Sequence, residues 1–179
     1  MLEITTEPTE FYDEERNEFV YVKPQLLKLE HSLVSVSKWE SKWHKAFLSD
    51  NEKTKEEIFD YIRCMTINQV NPFVYSLLTQ KNVDDIEDYI GDPMTATVIK
   101  DRPDQKRSND VVTSELIYYW MVSLQIPFEC EKWHLNRLLT LIKICNVKNQ
   151  PADKMSRKEV LNQNRILNQA RRKRFHTRG

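Results

Sequence analysis

Apolar positions near the start of the chain follow the rhythm of strands. Phe11 and Tyr12, the polar run DEERNE, and then Phe19-Val20-Tyr21-Val22 predict a hairpin, which Leu26, Leu27 and Leu29 continue after Pro24. In HSLVSVSKWESKW, Val34 and Val36 alternate with serines like a strand, whereas Trp39 and Trp43 stand four apart like a helix face. The expectation is a short strand giving way to a helix. Further on the period is helical. Thr54 to Glu57 reads as a capping box, and Ile58, Tyr61, Ile62 and Met65 form one apolar face behind it. Asn71-Pro72 opens a second short helix. Asn82 is expected to cap a third, which Gly91 ends. Residues 93–99 (PMTATVI) look β-prone, and residues 100–110 are a polar loop.

The third quarter is the most apolar. Thr113 or Ser114 caps ELIYYWMVSLQI, whose apolar groups point in every direction on a helical wheel, so this helix is expected to be buried on all sides or covered by a partner. Pro127 breaks it. A second helix is expected from about Glu129 to Val147. On it Leu135, Leu138, Leu139, Leu141, Ile142 and Cys145 share one arc, which reads as core. Trp133, Arg137, Thr140 and Ile144 lie opposite, flanked by Asn136 and Lys143. Trp133 and Arg137 are four apart, so the guanidinium can lie over the indole. Trp and Arg are enriched at interface hot spots. The competing expectation is that another part of the same chain covers this second face. Ser156 to Glu159 reads as one more capping box, opening a basic helix or frayed tail.

These patterns predict an α+β fold, mostly α-helical, with a small N-terminal antiparallel hairpin or sheet. Residues 1–150 form one globular domain and residues 151–179 a basic C-terminal tail. Two glycines in 179 residues argue against phosphate-cradling loops and favour helices over a turn-rich β architecture. The zero net charge conceals a strong asymmetry. Residues 1–22 hold seven acids and one base, and residues 151–179 hold nine bases and two acids. Opposite charge at the two ends suggests head-to-tail association of copies, a contact that does not close. Three cysteines in helical surroundings fit a reduced, intracellular protein. The acidic start is not the pattern of a signal peptide, and the apolar run from Leu116 to Leu124 is too short for a membrane span.

Candidate chemistry is sparse. Cys130 and His134 are four apart, a spacing that can hold a metal, but Cys145 would lie about 22 Å along the same helix and cannot join them. As a nucleophile pair they lack an evident orienting acid and an oxyanion hole. The acid pairs Asp84-Asp85, Glu87-Asp88 and Glu14-Glu15 read as solvated faces. No enzyme activity, cofactor or metal is expected. Arg171, Arg172, Lys173 and Arg174 in the tail fit phosphate backbones loosely.

The segments TSELIYYWMVSLQIPFECEKWHLNRLLTLI (113–142), LEHSLVSVSKWESKWHKAFL (29–48), YIRCMTIN (61–68) and DPMTAT (92–97) resemble a group of proteins encoded among phage tail genes. That group is similar to the small tail assembly chaperones of long-tailed phages. The resemblance implies a protein of the infected host's cytoplasm that binds the tape measure protein and helps recruit tail tube subunits. It would have no cofactor, no membrane association and no place in the mature virion. An apolar groove with a charged rim is what a helical tape measure requires. The candidate partner contacts are Trp133, Arg137, Thr140, Ile144, Tyr119, Trp120, Trp39 and Trp43. Two alternatives stay open: a structural virion component, such as a head–tail connector or tail completion protein, and a nucleic-acid-binding regulator acting through the basic tail.

Overall fold

The computed structural model describes residues 1–13, 17–99, 111–149 and 157–175. Its elements are β1 (Leu2–Thr5), β2 (Thr9–Asp13), β3 (Glu18–Val22), β4 (Leu26–Leu29), α1 (Leu33–Trp43), α2 (Lys55–Met65), α3 (Gln80–Gly91), α4 (Ser114–Ser123), α5 (Leu135–Asn149) and α6 (Arg157–Phe175). Two 3-10 helices, Pro72–Leu77 and Phe128–Lys132, interrupt the series. The fold is the expected α+β type, mostly helical, with antiparallel pairing at the N-terminus. The chain divides into two compact units, Met1–Cys145 and Asn146–Gly179.

In the first unit β1 pairs with β4, and the β2–β3 hairpin forms its own two-stranded ladder between them in sequence. Ile4 of β1 and Leu27 and Leu29 of β4 enter the core. The chain leaving α2 extends this pairing: the Ile67 N–H donates to the Lys28 carbonyl. The Asn68 side chain then imitates a strand residue. Its amide oxygen accepts from the Lys28 N–H at 2.8 Å and its nitrogen donates to the Leu26 carbonyl at 2.7 Å.

Local chemistry starts the helices largely as expected. Thr54 and Glu57 make the capping box of α2, with both reciprocal bonds present. Asn71 caps the 3-10 helix Pro72–Leu77 with Pro72 in its first turn. Thr113 caps α4. Four local expectations are corrected. Residues 34–36 are helical, because Ser32 and Ser35 form a capping box that begins α1 at Leu33. Thr79, not Asn82, caps α3, and Asn82, the third residue of the helix, bonds back to it. Gly91 is the last residue of α3, but not through a left-handed conformation, since no glycine has positive φ among the described residues. Residues 93–99 form no strand. The 100–110 loop and the capping box at Ser156 lie outside the described residues.

The core gathers one stripe from each helix of this unit: Leu33, Val36 and Trp39 from α1, Tyr61, Ile62 and Met65 from α2, Ile86 and Tyr89 from α3, Ile117 and Met121 from α4, and Leu135, Leu138 and Ile142 from α5. Glu40, also on α1, is buried among them. Its Oε1 accepts the Phe47 N–H at 2.8 Å and its Oε2 accepts the Ser114 N–H at 2.7 Å. One carboxylate thus holds the loop after α1 and neutralises the positive end of α4. In the second unit, α6 places Arg172, Lys173 and Arg174 in its last turn, where the helix dipole favours cations. Leu161, Ile166, Leu167 and Phe175 of α6 are exposed.

Glu40→Ala leaves two donors without their charged acceptor, and should lower unfolding free energy by on the order of 3 kcal/mol. Leu138→Ala should cost about 2–5 kcal/mol through the cavity it leaves. Urea unfolding checks both, and a change within experimental error at Glu40 would mean that its carboxylate does not hold α4.

Candidate partner-binding surface

Pro127 turns the chain out of α4 into the 3-10 helix Phe128–Lys132, and Trp133 follows in extended conformation at φ −71°, ψ 162°. The helix expected from Glu129 is therefore broken, and α5 begins only at Leu135. His134 provides the start. Its Nδ1 accepts the Asn136 N–H at 3.3 Å, so Nε2 carries the proton and donates to the Tyr89 carbonyl at 2.9 Å. The Asn136 side chain donates to the Ile90 and Asp92 carbonyls, so the start of α5 also closes the end of α3.

Although Trp133 lies ahead of α5, the Arg137 guanidinium still stacks on its indole, 4.3 Å from the ring centroid. Trp133 is half-buried against the core, while Arg137 is exposed. Thr140 and Ile144 are half-buried, and the Thr140 hydroxyl is spent on the Asn136 carbonyl of its own helix. The expected second face is present as the Trp133–Arg137 stack with Ile144 further along α5.

Of the two expectations for α4, burial on all sides within the chain does not hold. Ser114, Ile117 and Met121 face the core, and Tyr118, Trp120 and Leu124 pack partly against it. Tyr119 is 65% exposed, and Val122, one turn on, is 59% exposed. Phe128, exposed in the 3-10 helix, lies 6.4 Å from Tyr118 between ring centroids. The Tyr118 hydroxyl donates to Glu131 at 2.9 Å. Burial and that neighbouring carboxylate push its pKa up to about 12, so the bond is kept at any ordinary pH. Val122 and Phe128 belong to this exposed set and were not singled out from the sequence. The signal for Val122 was present in the pattern of α4, since an all-round apolar helix must expose whatever the core does not take, whereas Phe128 lies beyond that helix and had none.

The two tryptophans of α1 behave differently. Trp39 is 1% exposed and its Nε1 donates to the Glu57 carbonyl at 2.9 Å, so it is core and not a partner contact. Trp43 is half-buried and donates to Asp60 at 2.9 Å, and Lys42 lies over its ring. It borders a groove of about 570 Å³ lined also by Lys55, Phe59, Arg63 and Tyr75. Burial tends to raise the Asp60 pKa, but donation from Lys42 and Trp43 outweighs it and holds the carboxyl below its usual value.

The Cys130–His134 pair does not survive as chemistry. Both imidazole nitrogens of His134 are engaged elsewhere, leaving neither to activate the thiol, and burial followed by the Glu129 charge pushes the Cys130 thiol up. Among the described residues no three His, Cys, Asp or Glu side chains gather as a metal site. Arg171, Arg172, Lys173 and Arg174 occupy successive positions near the end of α6. At about 100° per residue they point around the whole helix rather than forming one phosphate-binding face. Among the described residues no helix is long and apolar enough to cross a membrane. No protein-family model, curated protein or solved structure matches the chain.

Beside His134 sits a second buried imidazole. The two rings meet edge to face at 5.1 Å. His31 contacts the Tyr61 hydroxyl, which in turn contacts Ser35. Burial, reinforced by His134, lowers the His31 pKa from 6.5 to about 3. The unfolded chain therefore binds a proton at His31 between these values that the folded chain refuses, so stability falls as pH drops through this window. Between pH 7 and pH 5 the loss should be about 2 kcal/mol. Denaturant titrations should show this slope in the parent and a shallower one in His31→Asn. Equal slopes would remove His31 as the cause.

Proposed function

We propose that this chain is a non-enzymatic tail assembly chaperone of a long-tailed phage, binding a helical tape measure protein through the surface formed by α4, the following 3-10 helix and the start of α5. The reading rests on the resemblance of residues 113–142 to that group, and its physical support is the exposure of Tyr119, Val122 and Phe128 together with the Trp133–Arg137 stack. Aromatic rings held by a rigid scaffold, with a guanidinium already fixed over one of them, form a contact surface that loses little side-chain entropy when a partner arrives. A tape measure supplies the complementary shape, a long helix with an apolar stripe. The resemblance also suggests that the chaperone acts in the host cytoplasm and leaves before the virion is complete.

The test is co-expression with the tape measure protein of the same genome. The parent chain should keep the tape measure soluble and co-purify with it. Arg137→Glu and Val122→Asp should abolish recovery while leaving the chain's own melting temperature within a few degrees, because both side chains are exposed. Trp133→Ala should weaken recovery and also lower stability, since its indole packs partly on the core. Mass spectrometry of purified particles should find the protein missing. Its stoichiometric presence would replace the chaperone with a structural virion component.

A further inference from the structure

The β2–β3 hairpin carries a second surface of different chemistry. Its register pairs Tyr12 with Phe19 and Glu10 with Tyr21. Strand alternation puts these four side chains on one face. The Tyr12 and Phe19 rings meet edge to face at 5.2 Å. The Tyr12 hydroxyl donates to the side-chain oxygen of Asn17, which turns at φ 55°, so the ring is held by the turn beneath it. Yet Tyr12 is 47%, Phe19 75% and Tyr21 55% exposed. Three adjoining aromatic rings on one face are not the scattered single apolar residues of an ordinary surface. Aromatic residues are also enriched in interfaces. Among the described residues β2 and β3 pair only with each other, and a lone two-stranded ribbon is marginal in water.

Charge defines what would cover the rings. Glu10 shares their face, and Glu7 is exposed just ahead of β2. Nucleic acids, anionic membranes and acidic peptides are repelled by such a surface. Shape narrows it further. A ribbon of two strands with its side chains is about 10 Å across, the diameter of one α-helix. A strand added to either edge would leave the rings uncovered, whereas a helix laid over the face covers them.

We propose that the Tyr12–Phe19–Tyr21 face docks a basic amphipathic helix of another protein, whose apolar stripe rests on the rings while its lysines or arginines meet Glu10 and Glu7. This site is separate from the α4–α5 surface and does not depend on the chaperone reading. The full chain should be titrated against a labelled helical peptide of about five turns with leucines on one side and lysines on the other. A matched peptide with glutamates in place of the lysines serves as the control. The basic peptide should bind saturably, and more weakly as salt is raised. The double variant Phe19→Ser/Tyr21→Ser should bind it at least about tenfold more weakly at an unchanged melting temperature. A second variant, Glu10→Lys, keeps the rings and should also lose binding, so the result does not hang on the hairpin tolerating serine. Absence of binding, equal binding of the acidic peptide, or undiminished affinity in both variants would overturn the proposal.

Discussion

The Glu40 carboxylate lies out of water where α1 and the loop just after it meet the start of α4, seventy-four residues along the chain. One oxygen holds the Phe47 N–H just after α1, and the other holds the Ser114 N–H at the first turn of α4. A buried carboxylate is tolerable only where donors surround it, and a helix N-terminus offers both donors and a favourable dipole. The arrangement sets the position of α4 relative to α1, with Ile117 and Met121 turned into the core and Tyr119 and Val122 turned outward. The outward face of α4 follows from that one constraint. The second junction is polar as well: the Leu135 N–H donates to the His31 carbonyl at 2.7 Å, and His134 joins α5 to the end of α3. Two polar anchors therefore orient the helices that carry the exposed aromatics, and the apolar core fills the space between them.

Legibility in the sequence followed the range of the interactions. The Thr54–Glu57 box, the Asn71-Pro72 start and the hairpin rest on contacts within a few residues, and all three could be read directly. Ser32 to Ser35 is equally local but was misread, because Val34 and Val36 give a period of two over a stretch too short to separate from helix. Trp39 looked like a partner contact because its acceptor, the Glu57 carbonyl, lies eighteen residues away. Nothing in KWESK singles out Glu40, whose role depends on a donor seventy-four residues away. The break at Trp133 was likewise invisible. His134 caps α5 only because the Tyr89 carbonyl is there to take its other nitrogen. The Trp133–Arg137 stack was nevertheless anticipated, since a long guanidinium reaches its neighbour in either geometry.

The chemistry that a sequence reader would first seek here turns out to be structural. Cysteines sit with their thiols raised at Cys64 and Cys130, each chiefly by burial. The buried imidazoles of His31 and His134 serve as hydrogen-bonding groups in the seam between helices. What the first unit offers outward is aromatic: Tyr119 and Phe128 near α4, the stacked Trp133, and the rings of the hairpin. One of these surfaces bears Arg137 and the other Glu10.

Hydrogen–deuterium exchange of the chain alone and bound to the tape measure protein tests the central claim most directly, because it reports where a partner sits without altering a residue. The account predicts that protection on binding concentrates in residues 114–145, with little change in α2 and its groove. Protection confined to α2 and the 3-10 helix Pro72–Leu77, with residues 114–145 exchanging as before, would contradict it.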